Sequence, residues 1–278
     1  MAGKELTTKT RRIRSMPWHL LKKGKIYLLP VYYVALLSRV GRELISDQGS
    51  AEYQDLVYRN RAEGRFIIGR IFDRYLLDFP PARGGRNRLV ATQETLRQLI
   101  KASPIKEITI LDLGCGYAHA LIGALEDVKD KNIRAYGLDL DEKAVEVAAA
   151  RAREKGIDNV SFHLGDVLNL REYPIESADI VVLTGFAQYL AYEERMKLYR
   201  DIYSFLGEGG YLLTDYFCDW AKNPLQKWWK RTSEEFLGAT LEWLDKEEIE
   251  AMFSQLPFSE VRTWYEPEKL CLMILARK

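Results

Sequence analysis

Ile108-Thr109-Ile110-Leu111-Asp112-Leu113-Gly114-Cys115-Gly116-Tyr117-Ala118 is the stretch that decides the fold. An apolar run long enough for one buried strand ends in two glycines separated by a single residue, and a helical pattern follows. Glycine at 114 and 116 lets the backbone turn sharply and approach a ligand with no Cβ in the way. The next helix would present its first N–H groups to the same turn. A second strand, Arg134–Leu140, carries Asp139 at its end, 23 residues beyond Gly116. Strand, glycine turn, helix, strand and acid together form the opening unit of a doubly wound α/β sheet.

The same alternation continues along the chain. Helical patterns are expected at 118–128, 142–155, 192–206 and 246–255, and strands at 108–113, 134–140, 160–164, 180–184, 211–215, 261–265 and 270–276. This predicts a mainly parallel seven-stranded sheet with helices on both faces. The connection through Pro267 is too short for a crossover helix, so the last strand runs antiparallel to its neighbour. Gly156 and Gly207 read as left-handed helix caps, and Asp245 with Glu248 as a capping box. Residues 1–104 read as a helical extension to a domain at 105–278 that carries a long excursion at 216–244. Within the extension, Leu56, Val57, Phe66, Ile67, Ile71, Phe72, Tyr75 and Leu76 follow three-and-four spacing with a break at Gly64. Phe79-Pro80-Pro81 ends that pattern, Arg83–Arg88 reads as a basic loop, and another helix covers 89–102.

Composition narrows the function classes. The chain has 278 residues, 47% of them hydrophobic and 29% charged, with a net charge of +1. That is globular composition, not a nucleic-acid coat. Three cysteines without a CxxC pair and three scattered histidines argue against a disulfide framework or a metal centre and fit a reducing, cytoplasmic compartment. The apolar run Ile26–Leu37 is twelve residues broken by Pro30. A spanning helix needs about 20, and no cleavage site marks it as a signal peptide. The charge is uneven, with ten Lys/Arg against the single acid Glu5 in residues 1–42.

The ligand follows from the turn. A dinucleotide site expects a third glycine where His119 stands, and Asp112 is awkward beside a pyrophosphate. Asp112 suits a cation, and Asp139 suits ribose hydroxyls. A nucleoside that also carries an ammonium group is S-adenosylmethionine. The chain is identified here as resembling the class I S-adenosylmethionine-dependent methyltransferases, over about residues 105–278. Asp112-Leu113-Gly114-Cys115-Gly116 is similar to the family's first motif, and Gly137-Leu138-Asp139 to its ribose-binding acid. Leu164-Gly165-Asp166-Val167 is similar to the adenine-binding segment. Ala178–Gly185 resembles the fourth strand and Leu206–Leu213 the entry to the fifth. The resemblance implies a Rossmann-like methyltransferase fold and cofactor contacts from Asp112, Gly114, Cys115, Gly116, Asp139, Leu140, Asp166, Val167, Thr184 and Gly185. Ala118 departs from the family, which often has glycine there.

The acceptor is approached through what surrounds that site. Phe186, Gln188 and Tyr189 follow the fourth strand and are expected to line it, with Tyr53, Tyr58 and Arg88 as further contributors from the extension. No general base is named. No Asn/Asp-Pro-Pro-aromatic sequence follows the fourth strand, where nucleobase amino methyltransferases carry one; Thr184-Gly185-Phe186-Ala187 stands there. A small apolar or lipid-like acceptor is therefore expected, and a nucleic-acid partner is not. Trp220, Trp228, Trp229, Phe236 and Trp243 suit a lid over such a substrate. The arm bearing Arg11, Arg12, Arg14, Lys22, Lys23 and Lys25 suits an anionic lipid surface. RNA or protein methylation through that arm, and a non-catalytic cofactor-binding subunit, are the alternatives.

Overall fold

The structure is a computed structural model that describes residues 13–46, 50–128, 131–170, 173, 175–218, 224–237 and 243–278. Arg11, Arg12, Trp220 and the side chain of Phe236 lie outside the described residues. The chain divides into two compact units, 1–86 with 220–241, and 87–219 with 242–278.

The second unit is built on strands β1 (Glu107–Leu113), β2 (Asn132–Asp139), β3 (Val160–Leu164), β4 (Ala178–Leu183), β5 (Leu206–Phe217), β6 (Glu260–Tyr265) and β7 (Cys271–Arg277). They form one sheet in the order β3-β2-β1-β4-β5-β7-β6. β7 is antiparallel to both β5 and β6, and the other pairings are parallel. The expected seven-stranded doubly wound sheet and its antiparallel last strand are both present. β1 and β4 are buried nearly throughout, which is why they read as continuous apolar runs. Leu111, Leu113, Val181, Leu183, Leu212 and Ile274 form the centre of the core, closed on one side by Met196, Tyr199, Ile249 and Phe253.

Crossover helices place the loops. The helix His119–Leu125 follows β1, Glu142–Glu154 follows β2, and Tyr192–Phe205 follows β4. Alanines at 118, 148 and 152 pack with Ile122 in a small buried cluster. Short side chains there let two helices approach closely. Gly156 takes φ +65° past the second helix, as expected of a left-handed cap. Gly207 does not cap the third. Leu206 is already extended and opens β5, and it is Gly209 that takes the left-handed turn at φ +71°. The helix Lys246–Phe253 opens on the expected capping box. The Asp245 carboxylate accepts from the Glu248 amide at 2.9 Å, and the Glu248 carboxylate accepts from the Asp245 amide at 2.8 Å.

The first unit is helical. In chain order, and with the helices just described taking their places, it holds α1 (13–22), α2 (Leu29–Leu37), α3 (Arg39–Ser46), α4 (Ala51–Arg59), α5 (Phe66–Leu77) and α10 (Pro224–Leu237). Ile26–Leu28 is a short 3₁₀ turn, and Pro30 sits at the start of α2, where its missing N–H costs nothing. One expectation fails here. Arg83–Arg88 is not a loop, because α6 runs unbroken over Pro80–Ala102. Pro80 and Pro81 occupy its first positions, which tolerate proline, and a side chain at Gly85 would already touch Val57. The apolar spacing along α5 coincides with its buried face only in part, through Phe72 and Leu76, which pack against buried clusters. Gly69, Asp73 and Leu77 point inward, while Phe66, Ile67 and Ile71 are exposed.

Candidate active site

The turn after β1 is shaped by alternating backbone signs. Gly114, Gly116 and Ala118 have φ of +66°, +53° and +53°. Glycine adopts that region freely, whereas an alanine in it is strained by about 1–2 kcal/mol. The turn is tied to β2 at two points. The Cys115 amide donates to the Leu138 carbonyl at 2.9 Å. The Gly116 amide donates to Asp139 Oδ2 at 2.8 Å, and the Asp141 amide donates to Oδ1 at 2.9 Å. Asp139 is thereby fixed in direction. The helix that follows is a single short element, His119–Leu125, opened by Ala118 without a side-chain cap.

Asp112 lies beside Gly137 in the sheet. Paired residues share a face, and side chains alternate along a strand. Asp139, two residues beyond Gly137, therefore faces the same side as Asp112. Gly137 is bare for a reason: a Cβ there would lie 2.4 Å from the Phe162 ring and 3.0 Å from Cys115 Sγ. Asp112 is 3% exposed. Burial first, and the charge of Asp139 second, push its pKa up to about 8. Burial also raises Asp139, against the lowering effect of the Asp141 and Gly116 amides. Cys115 is pushed well up, by burial and then by Asp112 and Asp139, so it stays a neutral thiol rather than a nucleophile.

Asp166 sits just past β3. Its Oδ1 accepts from the Leu168 amide at 2.9 Å, and its carbonyl accepts from Tyr173 Oη at 2.9 Å. The preceding Gly165 amide donates to the Asp139 carbonyl at 2.9 Å, which ties this loop to the end of β2. Val167 is buried in the core and Leu140 is exposed.

The ends of β4 and β5 supply the other wall. A side chain on Gly114 would meet the Phe186 ring at 3.3 Å, so the aromatic ring stands against the bare glycine turn. Gln188 is buried, and its Oε1 accepts from the Phe217 amide at 3.3 Å. It braces the 3₁₀ turn Ala187–Tyr189 against β5. Thr184 is half-buried and Tyr189 exposed. Arg88, on α6, and Asp215, near the end of β5, form a fully buried ion pair at 3.5 Å. Asp215 Oδ1 accepts from the Gly185 amide at 2.6 Å, Cys271 Sγ donates to Oδ2 at 3.0 Å, and the guanidinium lies flat over Gly185. The sequence reading named Arg88 and Gly185 without connecting them and gave Asp215 no role. The available signal was an acid inside the apolar run Tyr211–Phe217. Tyr53 and Tyr58 lie on α4 in the first unit.

A family described as "Methyltransferase domain" matches residues 105–257, more than half of the chain. The chain belongs to this family. It is a class I, S-adenosylmethionine-dependent methyltransferase. The methyltransferase is 28% identical over 190 residues to the uncharacterized methyltransferase YcgJ of Bacillus subtilis, an alignment covering 65% of this chain and 70% of that one. It is 31% identical over 104 residues to the carboxy-S-adenosyl-L-methionine synthase of Actinobacillus succinogenes, covering 37% of this chain and 42% of the relative. Among solved structures, a possible exported protein from Bordetella parapertussis superposes with a TM-score of 0.80 at 17% identity, over 99% of this chain and 96% of that one. The magnesium protoporphyrin IX methyltransferase of Synechocystis, solved with bound SAH, superposes with a TM-score of 0.57 at 15% identity, over 85% of this chain and 99% of that one. These two likenesses are likenesses of fold.

Proposed function

We propose that this methyltransferase transfers the methyl group of S-adenosylmethionine to a small, apolar or lipid-like acceptor, and that the cofactor lies across the carboxyl ends of β1, β2 and β4. The residues present fit the cofactor. Gly114 and Gly116 leave the turn without side chains. A carboxylate has about four acceptor positions, and Asp139 uses two on backbone amides, which leaves capacity for ribose hydroxyls. Asp112 is a buried acid with a raised pKa, and a cation beside it would favour its ionised form. In this reading Asp166 and Val167 would border the nucleobase, and Thr184 with Gly185 the reacting end.

When bound, the cofactor supplies a methyl carbon activated by positive charge on sulfur. In-line transfer would require the acceptor's lone pair to face that carbon opposite the sulfur, and Gly114, Gly116, Asp112 and Asp139 would hold the cofactor side in place. Alignment of donor and acceptor is the main catalytic requirement. Phe186 provides a fixed apolar face beside the turn, and Gln188 holds that ring's segment to β5. Arg88 and Asp215 fix Gly185 by charge and hydrogen bond rather than by a side chain of its own.

The observation that carries the apolar reading is the Phe186 ring packed against Gly114, an aromatic wall directly at the glycine turn. The test is transfer of labelled methyl from S-adenosylmethionine into fractionated cell extract. Label is expected in the solvent-extractable small-molecule fraction. Label confined to acid-precipitable RNA or protein, or formation of demethylated cofactor without any labelled product, refutes it.

A further inference from the structure

Helix α5 turns part of its apolar surface outward. Its inward face is Gly69, Asp73 and Leu77. A Cβ on Gly69 would lie 2.3 Å from the Leu37 carbonyl oxygen, so only glycine allows α5 this close to α2. The Asp73 carboxylate accepts from Ser38 Oγ, from the Val40 amide at 3.1 Å and from the Glu63 amide at 2.7 Å. These contacts fix the rotation of the helix about its axis. The consequence is that Phe66, Ile67, Ile68 and Ile71 stand 77%, 76%, 56% and 65% exposed. Phe66 does so at φ +56°, a backbone conformation that bulky L-residues avoid.

The strip does not stop at α5. Tyr75 meets the Trp229 ring at 5.4 Å, and Trp229 meets Trp228 edge-on at 4.9 Å, which carries the apolar surface onto α10. Arg65, Arg70 and Lys227 are exposed along the same two helices. The charge of the unit is as one-sided as its hydrophobicity. By sequence it carries 21 Lys/Arg against 10 Asp/Glu, a net +11, while the other unit carries −10.

We infer that this strip is a membrane-docking face, which seats the first unit on an anionic lipid bilayer with the isoleucines entering the acyl boundary and the basic residues at the headgroups. Scattered exposed apolar residues need no explanation, but a contiguous patch does. Large net positive charge on the unit disfavours pairing this face with the same face of a second copy. Phe66 and the three isoleucines are the strip's most exposed members on α5, and branched aliphatic side chains partition well into hydrocarbon. Among the described residues no helix is long and apolar enough to cross a membrane, so the contact is peripheral. The inference is independent of which acceptor is methylated.

The test is co-sedimentation of the full chain with sucrose-loaded vesicles of phosphatidylcholine, with and without phosphatidylserine, at low and high salt. Binding is expected only with the anionic lipid and is expected to weaken with salt. Ile67→Ser/Ile71→Ser is expected to reduce partitioning by about tenfold or more, with circular dichroism and cofactor binding unchanged. Arg70→Glu is expected to weaken it as well. A chain that stays in the supernatant with anionic vesicles at low salt overturns the inference. So does a double variant that binds as strongly as the parent. Sedimentation equilibrium in which the double substitution dissolves an oligomer, or RNA binding that depends on Ile67 and Ile71, assigns the strip to those partners instead and overturns it too.

Discussion

Replacing Asp112 by asparagine should change how the stability of the methyltransferase depends on pH. In the folded protein the Asp112 carboxyl holds its proton up to about pH 8, against an ordinary value of 3.8 when free. Between those two values the unfolded chain has given up a proton that the native state keeps. Stability contributed by this group is therefore fully present near pH 4, declines as pH rises, and is gone above about pH 8. At about 1.36 kcal/mol per unit, the whole span amounts to about 6 kcal/mol as a ceiling. Asparagine imitates the protonated acid in shape and does not titrate. Asp112→Asn should thus match the parent near pH 4.5 and exceed it progressively toward pH 8.5. Because Asp139 is coupled to Asp112, the slope belongs to the pair. The assay is urea denaturation of parent and variant without cofactor, followed by far-UV circular dichroism across that range. Adding S-adenosylmethionine should rescue the parent at high pH, because a cation beside Asp112 favours its ionised form. Parallel pH profiles for the two proteins would refute the reasoning.

Two more consequences concern single substitutions. Breaking the buried Arg88–Asp215 pair from one side, by Arg88→Met or Asp215→Asn, leaves a charge without its partner and should destabilise by about 3–5 kcal/mol. The double replacement should recover much of that loss in the same urea titration. At Ala118, glycine relieves the left-handed backbone but loses a buried methyl, so Ala118→Gly should lie within about 1 kcal/mol of the parent. Ala118→Val adds a β-branched side chain at φ +53° and should be markedly less stable by the same measure.

Features set by local chemistry were legible in the sequence. The glycine turn, the acid closing β2, the cap at Gly156, the Asp245–Glu248 box and the antiparallel β7 each follow from a handful of neighbouring residues. Features set by distant partners were not. Asp215 gains its meaning from Arg88, far away in the chain, and from Gly185, just past the end of the adjacent strand β4. The first turn of α6 looked like a loop because its glycines and prolines are counted as breakers, although prolines at a helix start and glycines against α4 are compatible with helix. On α5 the three-and-four spacing predicts a helix but not which face is buried. The rotation of that helix is instead set by what Asp73 and Gly69 meet, which no periodicity encodes. The same limit held at the site. The sequence named Gln188 as an acceptor-lining residue and not as the brace on the Phe217 amide, and it gave Asp215, the brace on Gly185, no role.

The most direct test of the central claim is calorimetric titration of S-adenosylmethionine and its demethylated product into the full-length protein and into Asp139→Ala. The parent should bind, and removal of the carboxylate should weaken binding by about 1–3 kcal/mol, roughly five- to 150-fold. Equal affinity in parent and variant, in a variant that remains folded, would contradict the placement of the ribose at the end of β2.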